Sequence, residues 1–241
     1  MPAELSELLL KLGLRVSPRT VRKYRPQHMD RGPGKRVQAQ RWRTFVRNHA
    51  QAIVACDFCV AMTVTFHMLY VFVVIEHASR RLIHVNVTSN PTAQWTMQQF
   101  REAIPAHHPY RMMIHDRDSI FSHQVDQGLR HIGLRVIKTP VRTPIANAIC
   151  ERVIGSLRRE CLDFVMPLHD SHLYGIVKAW VAHYNEGRPH MALGPGIPQP
   201  RPMSPIAPQT HRHRIPTSHR VVARAVLGGL HHEYGLETQA A

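Results

Sequence analysis

The chain has 241 residues, 44% of them hydrophobic, and a formal net charge of +15; that length suits one well-buried domain with a smaller appendage. No apolar run approaches the roughly 20 residues that span a bilayer, and four cysteines without a signal peptide argue against a disulfide framework and for a cytosolic protein. The 31 Lys and Arg against 16 Asp and Glu oppose compaction by self-repulsion and suit a polyanionic partner whose counterions are released on binding, although charge alone also fits a basic protein kept soluble by it.

The charge is unevenly placed. Residues 1–50 hold twelve Lys and Arg against three acids, +9 of the total, the basic arm expected of a nucleic-acid binder. Leu8, Leu9, Leu10 and Leu12 give a first short helix its apolar face, and Gly13 breaks it. Ser17 then stands before Pro18 as an N-cap before a first-turn proline. The helix they open carries Arg19, Arg22 and Lys23, as a helix that enters a major groove does, or as a solvated basic helix does. The expectation for residues 1–25 is a partial helix-turn-helix, because the chain starts too late to hold a whole one. Residues 26–48, with Gly32-Pro33-Gly34, read as a basic linker.

A core pattern begins near residue 49. Ile53–Cys56 is a short apolar run that ends at Asp57, Phe66–Ile75 a second strand, and Leu82–Thr88 a third. Asn90-Pro91 opens a helix to about Ala103; Met112–Ile114 is a short buried strand that ends at another acid, Asp116. A helix from about Ser122 stops at Gly133, a C′ glycine, and Leu134–Ile137 makes a fifth strand. Helices at about Asn147–Phe164 and Ser171–Tyr184 follow. This order predicts an α/β fold, a mixed five-stranded sheet flanked by helices over residues 49–194. Residues 195–241 read as a Pro-, His- and Arg-rich tail in which Val221–Tyr234 adds a small strand pair.

Cys56 and Cys59 form a C-x-x-C, but no second pair follows and they lie in a strand-like run. A structural zinc site takes four ligands from loops, so a buried pair is expected. The 19 histidines are scattered, without ligand spacing.

Two strands that each end on an aspartate place carboxylates at the crevice where open α/β sheets bind ligands; singly, each also fits an ordinary loop start. Glu151 shifts that balance. Cys150, Ile154, Leu157, Cys161 and Val165 make the apolar stripe of its helix, and Glu151 falls at the stripe's edge with Arg158 seven residues on. It reads as a third ligand in preference to an ion-pair partner of Arg158. Three carboxylates without a nucleophilic side chain suit phosphodiester transfer, in which two divalent ions stabilise the attacking and leaving oxygens.

Ala55-Cys56-Asp57, Ile114-His115-Asp116-Arg117-Asp118 and Ala146-Asn147-Ala148-Ile149-Cys150-Glu151-Arg152 resemble the three acidic motifs of the integrase catalytic core, the family of retroviral integrases and of bacterial insertion-sequence transposases. Leu157-Arg158-Arg159-Glu160-Cys161 and Tyr184-Asn185-Glu186-Gly187-Arg188-Pro189-His190 are similar to motifs that follow the glutamate there. Between Asp116 and Glu151 lie 34 residues, close to the family spacing; the likeness covers about residues 45–200. It implies a ribonuclease-H-like fold and DNA strand cleavage and transfer with two Mg2+ or Mn2+ ions held by Asp57, Asp116 and Glu151. It also implies Arg158 as a contact to an element end, with Arg152 and Arg159 as further DNA contacts on that helix. The partners implied are element ends, target DNA and further copies of the chain, not a membrane; the place is a bacterial cytoplasm, at the nucleoid when DNA is bound. The second motif departs from the family's usual Asp-x-Gly, so Asp118 assists Asp116 or replaces it. Glu76, where the family often has aspartate, is expected to be structural, and Arg188 and His190 to anchor the last helix or contact phosphate. Two other readings use the same residues: a truncated DNA-binding remnant that does not transpose, and a ribonuclease-H-like nuclease that cuts without joining.

Overall fold

The computed structural model describes residues 33–139, 147–194, 196–200, 215 and 217–238. Contacts divide the chain into Met1–Asn48 and His49–Ala241. The described part of the first unit is helix α1 (Pro33–His49), within the stretch read as a linker. Its Trp42 and Phe45 rings lie 5.7 Å apart, neighbours three residues on along one helix face. The proposed helix-turn-helix, with Arg19, Arg22 and Lys23, falls outside the described residues.

The second unit is built on a five-stranded sheet: β1 (Ile53–Met62), β2 (Met68–Glu76), β3 (Leu82–Thr88), β4 (Met112–His115) and β5 (Arg135–Lys138), in the order β3-β2-β1-β4-β5. The first three strands pair antiparallel as a meander, and β4 and β5 join parallel to β1. Parallel neighbours need crossovers, supplied by α2 (Ala93–Ala103) before β4 and α3 (His123–His131) before β5. Thr92, not Asn90, caps α2 by accepting from the Trp95 amide, and Ser122 caps α3 by accepting from Val125. Gly133 ends α3 at φ 89°, and the Leu134 amide reaches back to the Leu129 carbonyl; this is the left-handed closure for which glycine is suited.

Alternation along the strands sorts the two faces. On one, Val54, Cys56, Phe72, Val74 and Met113 pack with Phe100 of α2 and Val125 and Leu129 of α3. The other, with Ile53, Ala55, Val71, Val73 and Ile114, is covered by α4 (Ala148–Glu160), which packs on β1, and α5 (Asp170–Glu186), which packs on β3. Asn185 fastens α5 to the edge strand, its side chain both accepting from the Leu82 amide and donating to the Leu82 carbonyl, each at 2.9 Å.

Three boundaries differ from expectation. Strand β1 does not stop at Asp57 but runs five residues further, because β2 continues to pair with it as far as Met62↔Met68. On α4 the buried residues are Cys150, Val153, Ser156 and Leu157, whereas Ile154 is only half-buried. The expected stripe assumed one helix to Phe164; the chain breaks at Cys161 and Leu162–Phe164 is a separate 3-10 turn. Within the tail, β6 (His219–Val226) and β7 (His231–Thr238) form a hairpin.

Candidate active site

The last parallel pairs of β1 and β4 are Ile53↔Met112 to Ala55↔Ile114. Two residues beyond these pairs come Asp57 and Asp116, near enough that the charge of Asp116 acts on the Asp57 carboxyl. Asp116 leaves the sheet just after β4, while Asp57 remains inside β1 with its free edge open. The first turn of α4 brings Glu151, exposed, over this edge.

Asn147 joins the helix to the strand. It sits at the N-cap of α4 but makes no cap bond with its side chain. Its Nδ2 instead donates to Asp57 Oδ2 and to the Cys56 carbonyl, both at 3.4 Å, and its buried Oδ1 has no partner. An N-cap bond is worth ~1 kcal/mol, so this residue is turned from helix capping to the carboxylate. Sequence reading quoted Asn147 within a motif and gave it no role; its signal was a place four residues before Glu151.

The other acids act on the Asp57 carboxyl. Burial raises the Asp57 pKa, and Asp116, Glu151 and Asp118 raise it further in that order of strength; it reaches about 7 although the Phe58 amide donates to it. The order also separates the two aspartates of the second motif. Asp118 presents its Oδ1 to Ser119 Oγ and the Ile120 amide, and its own amide donates to Asp116 Oδ1. Its carboxylate thus braces the turn. The neighbouring thiols are inert: burial, with the acids around them, pushes Cys56 and Cys150 well above the usual thiol range. Cys59 is also buried, so the C-x-x-C lies inside a strand.

Behind Asp116 lies a network not singled out in the sequence. The buried His115 ring bonds the Asp116 carbonyl through Nδ1 (2.6 Å) and Asp126 of α3 through Nε2 (3.0 Å), and Lys138 of β5 pairs with the same Asp126 at 2.6 Å. Burial lowers the His115 pKa against the pull of these two acceptors. The residues are 11 and 12 positions apart, a spacing with no local meaning.

Arg152, Arg158 and Arg159 are exposed on α4. Arg158 also donates to the Val60 carbonyl at 3.2 Å, which holds the outer half of β1 to the helix that carries Glu151. Glu76 pairs with Arg81 at 2.8 Å and accepts from Ser79 and Tyr110; burial, which raises its pKa, is outweighed by these bonds. Arg188 pairs with Glu160 at 2.6 Å and so ties the end of α5 to the end of α4, and His190 bonds the Tyr184 carbonyl.

Among the described residues, no group of three or more His, Cys, Asp and Glu converges closely enough to enclose a metal ion. In donor type the site nevertheless fits a hard divalent cation, which prefers carboxylate oxygens and keeps some of its waters. The carboxylates that act on Asp57 and an unpartnered amide oxygen beside it are what such an ion and its waters would satisfy.

This mixed sheet with helices on both faces is the ribonuclease-H-like fold of integrase cores. Residues 132–198, from the end of α3 past α5, match the family model described as "Integrase core domain". Among solved structures, the catalytic domain of Mos1 mariner transposase aligns with TM-score 0.50 and 14% identity over 61% of this chain and 76% of that one. A Mos1 transposase catalytic domain with raltegravir and Mg gives the same score, identity and share of this chain, and 78% of its own. The catalytic core domain of BIV integrase aligns at TM-score 0.46 and 14% identity over 61% of this chain and 91% of that one. No curated protein gives a significant sequence match. At such identity the structural likeness speaks for fold, and the sequence match for the family segment. The chain thus carries a segment similar to the integrase core domain, on a fold similar to that of the Mos1 transposase catalytic domain. Among the described residues no helix is long and apolar enough to cross a membrane.

Proposed function

We propose that this chain cuts and joins DNA during integration or transposition as a metal-dependent polynucleotidyl transferase, with Asp57, Asp116 and Glu151 as its metal ligands. The observation that supports the proposal is that Asp57 and Asp116 each stand two residues past the last β1–β4 pair, and that Asp116 and Glu151 both act on the Asp57 carboxyl.

Asp57, Asp116 and Glu151 would hold the divalent ions through their carboxylate oxygens. When bound, Mg2+ or Mn2+ stabilises the attacking and leaving oxygens of an in-line displacement. The chain's own residues do the remaining work. Asn147 orients Asp57, and the His115 network fixes the backbone that carries Asp116. In joining, a 3′-hydroxyl oxygen forms a bond to phosphorus, the bond to the departing 3′-oxygen breaks, and the hydroxyl proton passes to solvent. Arg152, Arg158 and Arg159 lie on the outer side of α4, suited to phosphates flanking the reacting group. Arg19, Arg22 and Lys23 are further DNA contacts in this proposal. The partners are then element ends and target DNA, held by more than one copy of the chain at the nucleoid of a bacterial cytoplasm.

The test is cleavage and strand transfer on labelled DNA taken from the flanks of the chain's own reading frame, with Mg2+ or Mn2+. Asp57→Asn, Asp116→Asn and Glu151→Gln are each expected to abolish both steps while DNA binding in a metal-free gel shift persists. Unchanged cleavage and joining in all three variants sinks the assignment. Cleavage without joining by the unaltered chain makes it a nuclease.

A further inference from the structure

The outer half of the β1–β2 hairpin plays no part in the site above, yet it is built with care. From Phe58 to Ile75 the sequence contains no Asp, Glu, Lys or Arg. Beyond Cys59 the side chains stop being covered: Val60, Met62, Val64, Phe66 and Met68 are exposed, and so are Phe164, Met166 and Leu168 of the segment after α4. The Val64 amide donates to the Pro167 carbonyl at 3.0 Å, so these two stretches form one surface. Between them runs a groove of about 420 Å³ whose lining includes Val60, Met62, Leu162 and Val165 with two charged residues, Arg158 and Asp163.

The turn that presents this surface is rigid. The Thr63 amide donates to the His67 carbonyl, the Phe66 amide to the Thr63 carbonyl, and the His67 amide to Thr63 Oγ1, all within 3.0 Å. Thr63 Oγ1, Thr65 Oγ1 and His67 Nδ1 continue the chain of bonds. Held this way, Phe66 has φ 62° and is 83% exposed. A bulky side chain is a genuine outlier in that region, where glycine sits freely. Such strain is kept where it serves a function, and a preorganised exposed aromatic is the usual anchor of an interface.

We propose that this surface is the contact between two copies of the chain, each seating Phe66 in the other's groove between β1 and residues 162–167. The area argues for a second copy: eight large apolar side chains present an area of the order of the ~800 Å² that each partner of a standard interface contributes. So does the charge. On a chain of +15 the hairpin carries no Asp, Glu, Lys or Arg from Phe58 to Ile75, and the groove lining holds one cation, Arg158, and one acid, Asp163, so two copies can meet here without an excess of like charge. A bilayer surface is disfavoured, because interfacial segments combine apolar residues with Lys and Arg, which the hairpin lacks. The need for two copies rests on the proposed function, since two element ends must be held together; the surface itself does not.

Sedimentation of the full chain is the test, with Phe66→Gly and Met166→Lys. The unaltered chain is expected to dimerise, and each variant to weaken the dimer at least 10-fold. Phe66→Gly relieves the backbone strain, so its Tm measured where the chain is monomeric stays within about 3 °C of the unaltered value; misfolding then cannot explain the loss. A chain that stays monomeric at high micromolar concentration overturns the proposal, and so does a dimer that ignores both variants. Flotation with neutral phosphatidylcholine vesicles that depends on Phe66 also overturns it, in favour of a membrane. Asp57→Asn separates this inference from the function: it should keep the dimer and lose joining. Joining by a monomer defeats only the interface, and a dimer that never joins DNA defeats only the function.

Discussion

Strand β1 is two strands in one. From Ile53 to Cys56 every residue is buried, with β2 on one edge and β4 on the other. From Asp57 to Met62 it keeps β2 but has lost β4, whose strand ends at His115. The backbone is equally extended in both halves; the neighbour makes the difference. Where the sheet narrows from five strands, a crevice opens at strand ends, the place where open α/β sheets bind ligands. Carboxylates stand at the mouth of that crevice and uncharged apolar side chains further out. One edge, laid open at one point, thus carries both proposals: chemistry next to the break and contact beyond it.

The sharpest way to break this contrast is at its boundary. Asp116→Asn is expected to cost at least ~10³-fold in strand transfer, ~4 kcal/mol of barrier, whereas Asp118→Asn costs less than about tenfold, since its carboxylate braces a turn through Ser119 and Ile120. Single-turnover joining assays with both variants measure the ratio. Equal losses would mean that the second ligand is shared between the two aspartates, and the register of β4 would no longer locate the site.

How much of this could be read from the sequence follows the same division. Leu82–Thr88 was legible to the residue because apolar runs bounded by turn residues report themselves locally. The Gly133 stop and the Ser122 start of α3 were legible for the same reason. The three candidate acids stand out in the sequence by spacing and by motif. The far half of β1 was not, because a charged residue at Asp57 reads as an end, and only pairing with β2 carries the strand through it. The His115–Asp126–Lys138 network and the diverted Asn147 escaped because both join residues that only the crossovers bring together. The left-handed Phe66 escaped because nothing in its side chain announces a positive φ.

The buried network makes the inner half rigid, and the next expected effect lies there. Asp126→Ala leaves His115 and Lys138 without their shared acceptor inside the protein. Breaking a buried pair by removal of one partner costs about 3–5 kcal/mol, read as a fall in the urea midpoint with an unchanged slope. Asp126→Asn keeps an acceptor oxygen and should lose less than half as much. If both variants match the unaltered chain, Asp116 is not held from behind, and the inner half of the site is no stiffer than the outer.

The smallest effect tests the repulsion itself. The pKa of Asp57 is raised from 3.8 to about 7 by burial and by Asp116. An acid whose folded pKa stands above its unfolded value binds its proton more tightly in the fold, so its ionisation destabilises the metal-free protein. That cost is absent below pH 3.8, grows as the pH rises towards 7, and is complete above it. Asp57→Asn removes the charge while it keeps the shape. Its Tm without metal should equal that of the unaltered chain near pH 4 and exceed it at pH 8. Mn2+ at pH 8 should then raise the unaltered chain more than the variant, because a cation offsets the charge that the variant lacks. A Tm difference that does not change with pH would mean that Asp57 ionises as an ordinary surface acid. The crevice beside β4 would then be an opening in the sheet without the crowding of carboxylates that makes it a site.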